Sequence, residues 1–148
     1  AFCSASIAQS TFTKYGNARY AYSVEYPSDL LIPQEEAQNG DGRVIASQDG
    51  AATLTVWASM RGKDLPERCD AVADANDERS SSTTYKWKKD GTSVASGKRK
   101  DGRVFYLKKV RGKDKCMAAL LEYPEDRRST FDPLVSHIAG SLRDLDLR

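Results

Sequence analysis

Nucleophiles and bases are scarce in these 148 residues: there is one histidine, His137, and there are three cysteines, Cys3, Cys69 and Cys116. Covalent catalysis needs a nucleophile with a base within hydrogen-bond reach, and the chain has no G-x-S-x-G elbow to present a serine, so no triad can be nominated. Zinc chemistry lacks its H-E-x-x-H helix and its paired C-x-x-C ligands. Asn39-Gly40-Asp41-Gly42 lacks both the D-x-D-x-D-G spacing and the distal glutamate of a calcium loop, and turn chemistry accounts for it better. The glycines stand as isolated turn residues, not as a phosphate-cradling loop ahead of a helix. What remains for an enzyme is a pair of carboxylates beside the first hairpin, Asp41 and Asp49, which could divide acid and base duties in a small hydrolase or transferase. No metal and no cofactor is indicated.

The stronger signal is cationic. Between Lys86 and Lys115 stand twelve Lys or Arg against three Asp, while the rest of the chain has eleven basic and eighteen acidic residues; a net charge of +2 conceals this division. Cations gather at hairpin ends, in Lys98-Arg99-Lys100 and Arg111-Gly112-Lys113. Lys86 and Lys88 alternate with Tyr85 and Trp87, and Phe105 and Tyr106 are interleaved further on. Such a surface would steer and dock an acidic protein or an anionic envelope component. Lysines placed on edge strands to discourage aggregation would look the same. Basic strands also hold phosphates without sequence preference, so no specific nucleic-acid partner is indicated.

The elements that must position these residues are mostly strands. Tyr20, Tyr22, Val24 and Tyr26 share one parity and Ala21, Ser23 and Glu25 the other, which is the period of a strand with one buried face; Pro27 ends it. Residues 28 to 38 show no clean period. A sharp turn at Asn39 to Gly42 and a two-residue type I′ hairpin at Asp49-Gly50 then bracket the strand Arg43 to Ser47, and Leu54-Thr55-Val56-Trp57 returns against it. The whole stretch from Tyr20 to Trp57 is expected to form half of one antiparallel sheet. Asp64, Pro66 and Glu67 start a helix over Leu65 to Glu78, on whose outer face Asp70, Asp74, Asp77 and Glu78 are solvated acids and not metal ligands. Four strands joined by hairpins follow, from Thr83 to Tyr123. A final helix, capped by Ser129 or Asp132, carries the stripe Phe131, Leu134, Val135, Ile138, Leu142 and Leu145, with His137 on its flank in a structural or solvated place.

Length and composition allow one soluble domain that buries its own core, and no run approaches the ~20 apolar residues of a membrane span. Residues 1–8 are small and apolar and end in Ser6-Ile7-Ala8, the small-x-small form of a signal-peptidase site. They read as the tail of a secretory signal, residues 9–148 as the single domain, and the setting as periplasmic or secreted. Losing Cys3 with the signal leaves Cys69, on the apolar stripe of the predicted helix, and Cys116, at the head of a strand; the two either pair as a disulfide or stay as buried thiols.

Arg19-Tyr20-Ala21-Tyr22-Ser23-Val24-Glu25-Tyr26-Pro27-Ser28-Asp29, an aromatic strand ending in Tyr-Pro, is followed by a loop, a hairpin, a helix, a strand meander and a closing helix. This order resembles the PsbP-like family, small domains of the Mog/PsbP type with exported bacterial relatives. The resemblance implies an α+β fold, an α-β-α sandwich with a largely antiparallel sheet of six or seven strands and two main helices. It also implies an accessory, adaptor or binding role with no shared catalytic residues. The reading is a non-enzymatic exported binding protein, of adaptor, secretion-accessory or toxin-immunity type, docking through Lys86, Lys88, Lys98, Arg99, Lys100, Arg111 and Lys113. The alternatives are the carboxylate enzyme and a lipid or small-molecule carrier with a pocket behind Trp57 and Trp87.

Overall fold

Tyr22, Val24 and Tyr26 are buried, as their spacing requires, but the strand that carries them is not part of the main sheet. The computed structural model describes residues 10–60 and 80–146. In chain order the strands are β1 (Phe12–Asn17), β2 (Tyr22–Pro27), β3 (Ile32–Glu36), β4 (Gly42–Ala46), β5 (Thr53–Met60), β6 (Ser80–Lys89), β7 (Thr92–Arg99), β8 (Val104–Gly112) and β9 (Lys115–Tyr123). A 3-10 turn at Glu125–Arg127, the short helix α1 (Arg128–Phe131), a second 3-10 turn at Asp132–Leu134 and the helix α2 (Val135–Ser141) follow, and β10 (Arg143–Asp144) ends the series.

β2 pairs with β1 on one side and β10 on the other, making a three-stranded sheet; β3 to β9 form a seven-stranded antiparallel sheet in the order β3-β4-β5-β9-β8-β7-β6. The expectation of one sheet through Tyr20 to Trp57 is therefore corrected. β1 completes the small sheet and leaves little pattern in the sequence, because only Tyr15 and Asn17 of its six residues are buried. β3 has no clean period for a similar reason: it is an edge strand exposed along its whole length, and Pro33 contributes no donor to its ladder.

The meander read from Thr83 to Tyr123 is present as β6 to β9, with β9 folded back between β8 and β5. That central position explains the unbroken run Met117 to Leu121, all buried, since a central strand has two faces to fill. Register separates the faces. Leu54 opposes Leu121, Val56 opposes Ala119 and Ala58 opposes Met117; these pack with Tyr22, Val24, Phe131, Ile138 and Leu142 from the small sheet and the C-terminal helical segment. On the opposite face Ala95, Phe105 and Leu120 form a second buried cluster, joined by Trp57 and Leu107.

The molecule is thus mostly sheet, in the α+β class. The helix expected over Leu65 to Glu78 lies outside the described residues. Two main helices and a simple sandwich are not what the described residues show: one face is covered by a small sheet together with one helical segment. That segment is broken where Pro133, with no N–H to give, begins a fresh turn. Neither Ser129 nor Asp132 caps it; the Asp132 carboxylate instead accepts the Tyr123 hydroxyl and an Arg128 N–H. Phe131, Ile138 and Leu142 of the stripe are buried, but Leu145 lies beyond the helix and is exposed.

The turns differ in one case. Asp90-Gly91 is a two-residue turn with both residues at positive φ, as a type I′ hairpin needs. At Asp49-Gly50 only Gly50 has positive φ; Ala46 pairs with Thr53, and Ser47 accepts from the Gly50 N–H and donates to the Ala52 carbonyl, so this loop is longer than the expected two residues.

Candidate binding surface

Strand alternation decides where the twelve cations go. Across the sheet Lys86 faces the side of Ala95, Leu107 and Leu120, and Lys88 the side of Ser93, Lys109 and Ala118; Arg111 lies on that side too, opposite Cys116. Tyr85, Trp87 and Lys89 point the other way, in register with Ser96, Val94 and Thr92, and Lys98 shares their side. The basic segment is not one patch.

Much of its charge is also neutralised from elsewhere in the chain. Arg99 is only 4% exposed; its Nε donates to Glu122 at 3.0 Å and its guanidinium lies 4.5 Å from the centre of the Phe105 ring. It is removed from the docking set: a buried arginine that joins strands by ion pair and cation–π contact holds the sheet together. Arg103 joins the same Glu122 and Asp101. Lys98 reaches Glu125 at 3.3 Å between half-exposed side chains, and Lys108 donates to the Ala139 carbonyl at the end of α2 at 2.8 Å, its pKa lowered by burial. Lys109 is buried. Lys86, Lys88 and Lys109 all have interactions within the chain.

Lys115 is the extreme case. It is 3% exposed, and its ammonium donates to Asp144 at 2.7 Å, to Asp146 at 2.8 Å and to the Ala21 carbonyl at 3.1 Å, tying β9 to β10 and to the turn before β2. Burial alone would lower the lysine pKa, but the two carboxylates outweigh it and the pKa is raised. For Asp144 burial acts upward, and Lys115 with the N–H groups of Lys113 and Asp146 brings the net shift below 3.8. Composition counted Lys115 as one more surface cation; its partners are far away in sequence, so no local signal marked it.

Among the cations, Lys89, Lys100, Arg111 and Lys113 are exposed, with Lys86 and Lys88 beside them on β6. Lys100 is in the β7–β8 loop, at the other end of the strands. Lys89, Arg111 and Lys113 lie at the same end of the strands, Lys89 and Arg111 on opposite faces of the sheet; the Arg111 N–H donates to the Gly91 carbonyl at 2.8 Å, and its side chain packs over that glycine. Tyr85 and Trp87, 52% and 43% exposed, lie on β6, the last strand of the large sheet among the described residues.

The other candidates do not assemble. Asp41 and Asp49 flank β4 at opposite ends, roughly 17 Å apart for a strand of that length. Asp49 is engaged by Arg127, Ser47 and the Ala51 N–H, which together hold its carboxyl well below the usual range. A carboxylate so held is a poor base, and the carboxylate enzyme loses its pair. His137 stacks on Phe12 at 3.6 Å between ring centres, with Nε2 3.4 Å from Glu25. A small apolar cleft lies between Leu54, Ala119 and Leu121 of the sheet and Val135 and Ile138 of the helical segment. Trp57 belongs to the second cluster and Trp87 to the exposed edge, so neither tryptophan lines it. Among the described residues no group of His, Cys, Asp and Glu is placed to hold a metal ion; Asp70, Asp74, Asp77 and Glu78 lie outside them. No helix among them is long and apolar enough to cross a membrane. Cys116 is disulfide-bonded and partly buried on β9; Cys69 lies outside the described residues.

The fold has a solved counterpart. The chain is similar to cyanobacterial PsbP (CyanoP) from Synechocystis sp. PCC 6803, with a TM-score of 0.63 at 15% identity over 94% of this chain and 95% of that one. At that identity the likeness is one of fold, and the fold is PsbP-like. No protein-family profile matches the sequence, and no curated protein matches it either.

Proposed function

We propose that this chain is a non-enzymatic binding or accessory module, exported to an oxidising compartment, stapled by a Cys69–Cys116 disulfide, and engaging an acidic partner through the basic meander. The observation that carries the reading is the set of cations the fold does not consume. Arg99, Lys98, Lys108 and Lys115 have structural partners, yet Lys100, Arg111 and Lys113 are held out at loop and hairpin tips. A PsbP-like fold supports an accessory role, as does the separation of Asp41 from Asp49. Long-range attraction from such tips raises encounter rates with an acidic protein and falls with ionic strength.

The test is retention of partners from a detergent-solubilised envelope extract on immobilised protein. Lys100→Glu, Arg111→Glu and Lys113→Glu together should abolish salt-sensitive retention while leaving the thermal midpoint unchanged. Retention that survives the three reversals overturns the reading.

A further inference from the structure

Asn39, the one asparagine of the chain that precedes a glycine, stands exposed in the turn between β3 and β4. Gly40 has no side chain to shield its amide nitrogen, so the Asn39 side-chain amide meets that nitrogen without steric opposition. Both groups also have a polar partner. The Asp41 N–H donates to Asn39 Oδ1 at 3.2 Å, which draws electron density from the side-chain carbonyl carbon. Arg19 Nη1 donates to the backbone carbonyl of Asn39, and its Cδ packs against Gly40, 3.6 Å from where a β-carbon would stand. That carbonyl oxygen belongs to the same resonant peptide group as the Gly40 nitrogen, so it takes up the charge when the nitrogen loses its proton.

We propose that Asn39-Gly40 is a self-modifying site, at which the Gly40 nitrogen attacks the Asn39 side-chain carbonyl carbon and the residue becomes aspartate or isoaspartate. The new C–N bond closes a cyclic imide; the bond to Nδ2 breaks, and that nitrogen takes the proton given up by Gly40 and leaves as ammonia. Solvent water then opens the imide at one carbonyl to give aspartate, or at the other to give isoaspartate. The step is independent of the binding-module reading. The Arg19 guanidinium stabilises the amidate as an oxyanion donor does, and the Asp41 N–H does the same for Oδ1 as it gains charge. Proximity adds to this, since the reacting groups belong to adjoining residues.

Two groups of the turn oppose the step. The Gly40 N–H donates to the Ala37 carbonyl at 2.8 Å, a bond that must be given up, and the Asp41 carboxylate disfavours further negative charge beside it. A hydrogen bond from a cation outweighs one between neutral groups, and the cation meets the atom on which the charge develops. The product matters because of what the turn joins. Gly40 and Asp41 offer their carbonyls to Asn17 Nδ2 at 2.9 Å and to the Tyr22 hydroxyl at 2.8 Å, between the two sheets. Aspartate keeps the backbone length and both bonds. Isoaspartate adds a methylene to the backbone ahead of Gly40 and displaces both carbonyls, so the joint between the sheets loosens as the protein ages.

The experiment incubates the purified protein at neutral pH and follows the mass gained as the side-chain amide becomes a carboxylate, with peptide mapping to place it and an isoaspartate methyltransferase to distinguish the two products. The synthetic peptide Gln34 to Ile45 is the unfolded reference. The folded protein is expected to react faster than the peptide, and Arg19→Gln to slow it by about tenfold, the low end of what a charge-assisted hydrogen bond contributes. The sign separates catalysis from support: an Arg19 that merely braced the turn would, when lost, leave the chain looser and the reaction faster. Arg19 is exposed, and an unchanged thermal midpoint checks the fold of the variant. Asn39→Ser should abolish the gain at this peptide. The isoaspartate form, isolated by chromatography, should melt below Asn39→Asp, which has the same charge and the ordinary backbone. A folded rate at or below that of the peptide overturns the proposal, as does an Arg19→Gln variant that reacts as fast as the parent or faster. Equal midpoints for the isoaspartate form and Asn39→Asp overturn the loosening of the joint.

Discussion

At the scale of single residues the molecule's most consequential charge is a buried one. Lys115 meets Asp144 with both side chains almost wholly removed from water, a geometry in which each ion is tolerable only because of the other. Replacing Lys115 by Met leaves Asp144 buried without its partner and is expected to cost about 3–5 kcal/mol in urea unfolding, far more than a surface lysine would. The pH dependence follows from the two shifts. Asp144 has a folded pKa below its ordinary 3.8, so its contribution is present above that value and is lost as pH falls through the folded one. Lys115 is raised above 10.5, so its contribution is complete below that value and is lost as pH rises through the folded one. Lys115→Met should therefore flatten both the acid and the alkaline limbs of the stability profile. A variant that loses stability equally at every pH would show that the pair is not the cause.

At the scale of elements, turns set the register on which every facing pair depends. In the turn from β3 to β4, Gly40 takes φ +69°, while Gly42 is needed for a different reason: a side chain there would overlap the Val56 carbonyl and come within 2.8 Å of the Trp57 Cα. The Tyr22 hydroxyl donates to the Asp41 carbonyl and Asn17 Nδ2 to that of Gly40, so the turn also joins the two sheets. Gly42→Ala forces β4 away from β5 and is expected to cost about 1–3 kcal/mol, as overpacking does. Gly16→Ala in β1, where nothing lies within 4 Å of the added carbon, should stay within about 0.5 kcal/mol. Equal costs at the two positions, measured by thermal unfolding, would remove the close-approach argument.

At the scale of the whole molecule the proposed covalent link sets the expectation. The proposed Cys69–Cys116 bridge would close a loop of about 47 residues and constrain the unfolded chain by on the order of 4 kcal/mol. Reductant should therefore lower the unfolding midpoint, and Cys69→Ser should lower it by the same amount with no further response to reductant. If Cys69→Ser is as stable as the oxidised protein, Cys116 pairs elsewhere and the staple is misassigned.

Local chemistry was legible from the chain alone. The alternation of Tyr22, Val24 and Tyr26, the Asp90-Gly91 hairpin and the stripe Phe131, Ile138, Leu142 rest on backbone geometry and side-chain period, which neighbours in sequence determine. β1 and β3 were not legible, because a strand that buries few side chains leaves little pattern. The split into two sheets was also hidden, since pairing is a choice among distant partners that alternation does not rank. The candidate surface divides in the same way. Composition marked a basic segment rich in aromatics, but which cations remain outside was decided by Glu122, Glu125, Asp144 and Asp146 arriving from other elements, and by a strand period of two that sends Lys98 and Arg99 to opposite faces. Charge along a chain is a property of sequence; charge on a surface is settled only when the fold has chosen which ions to pair and bury.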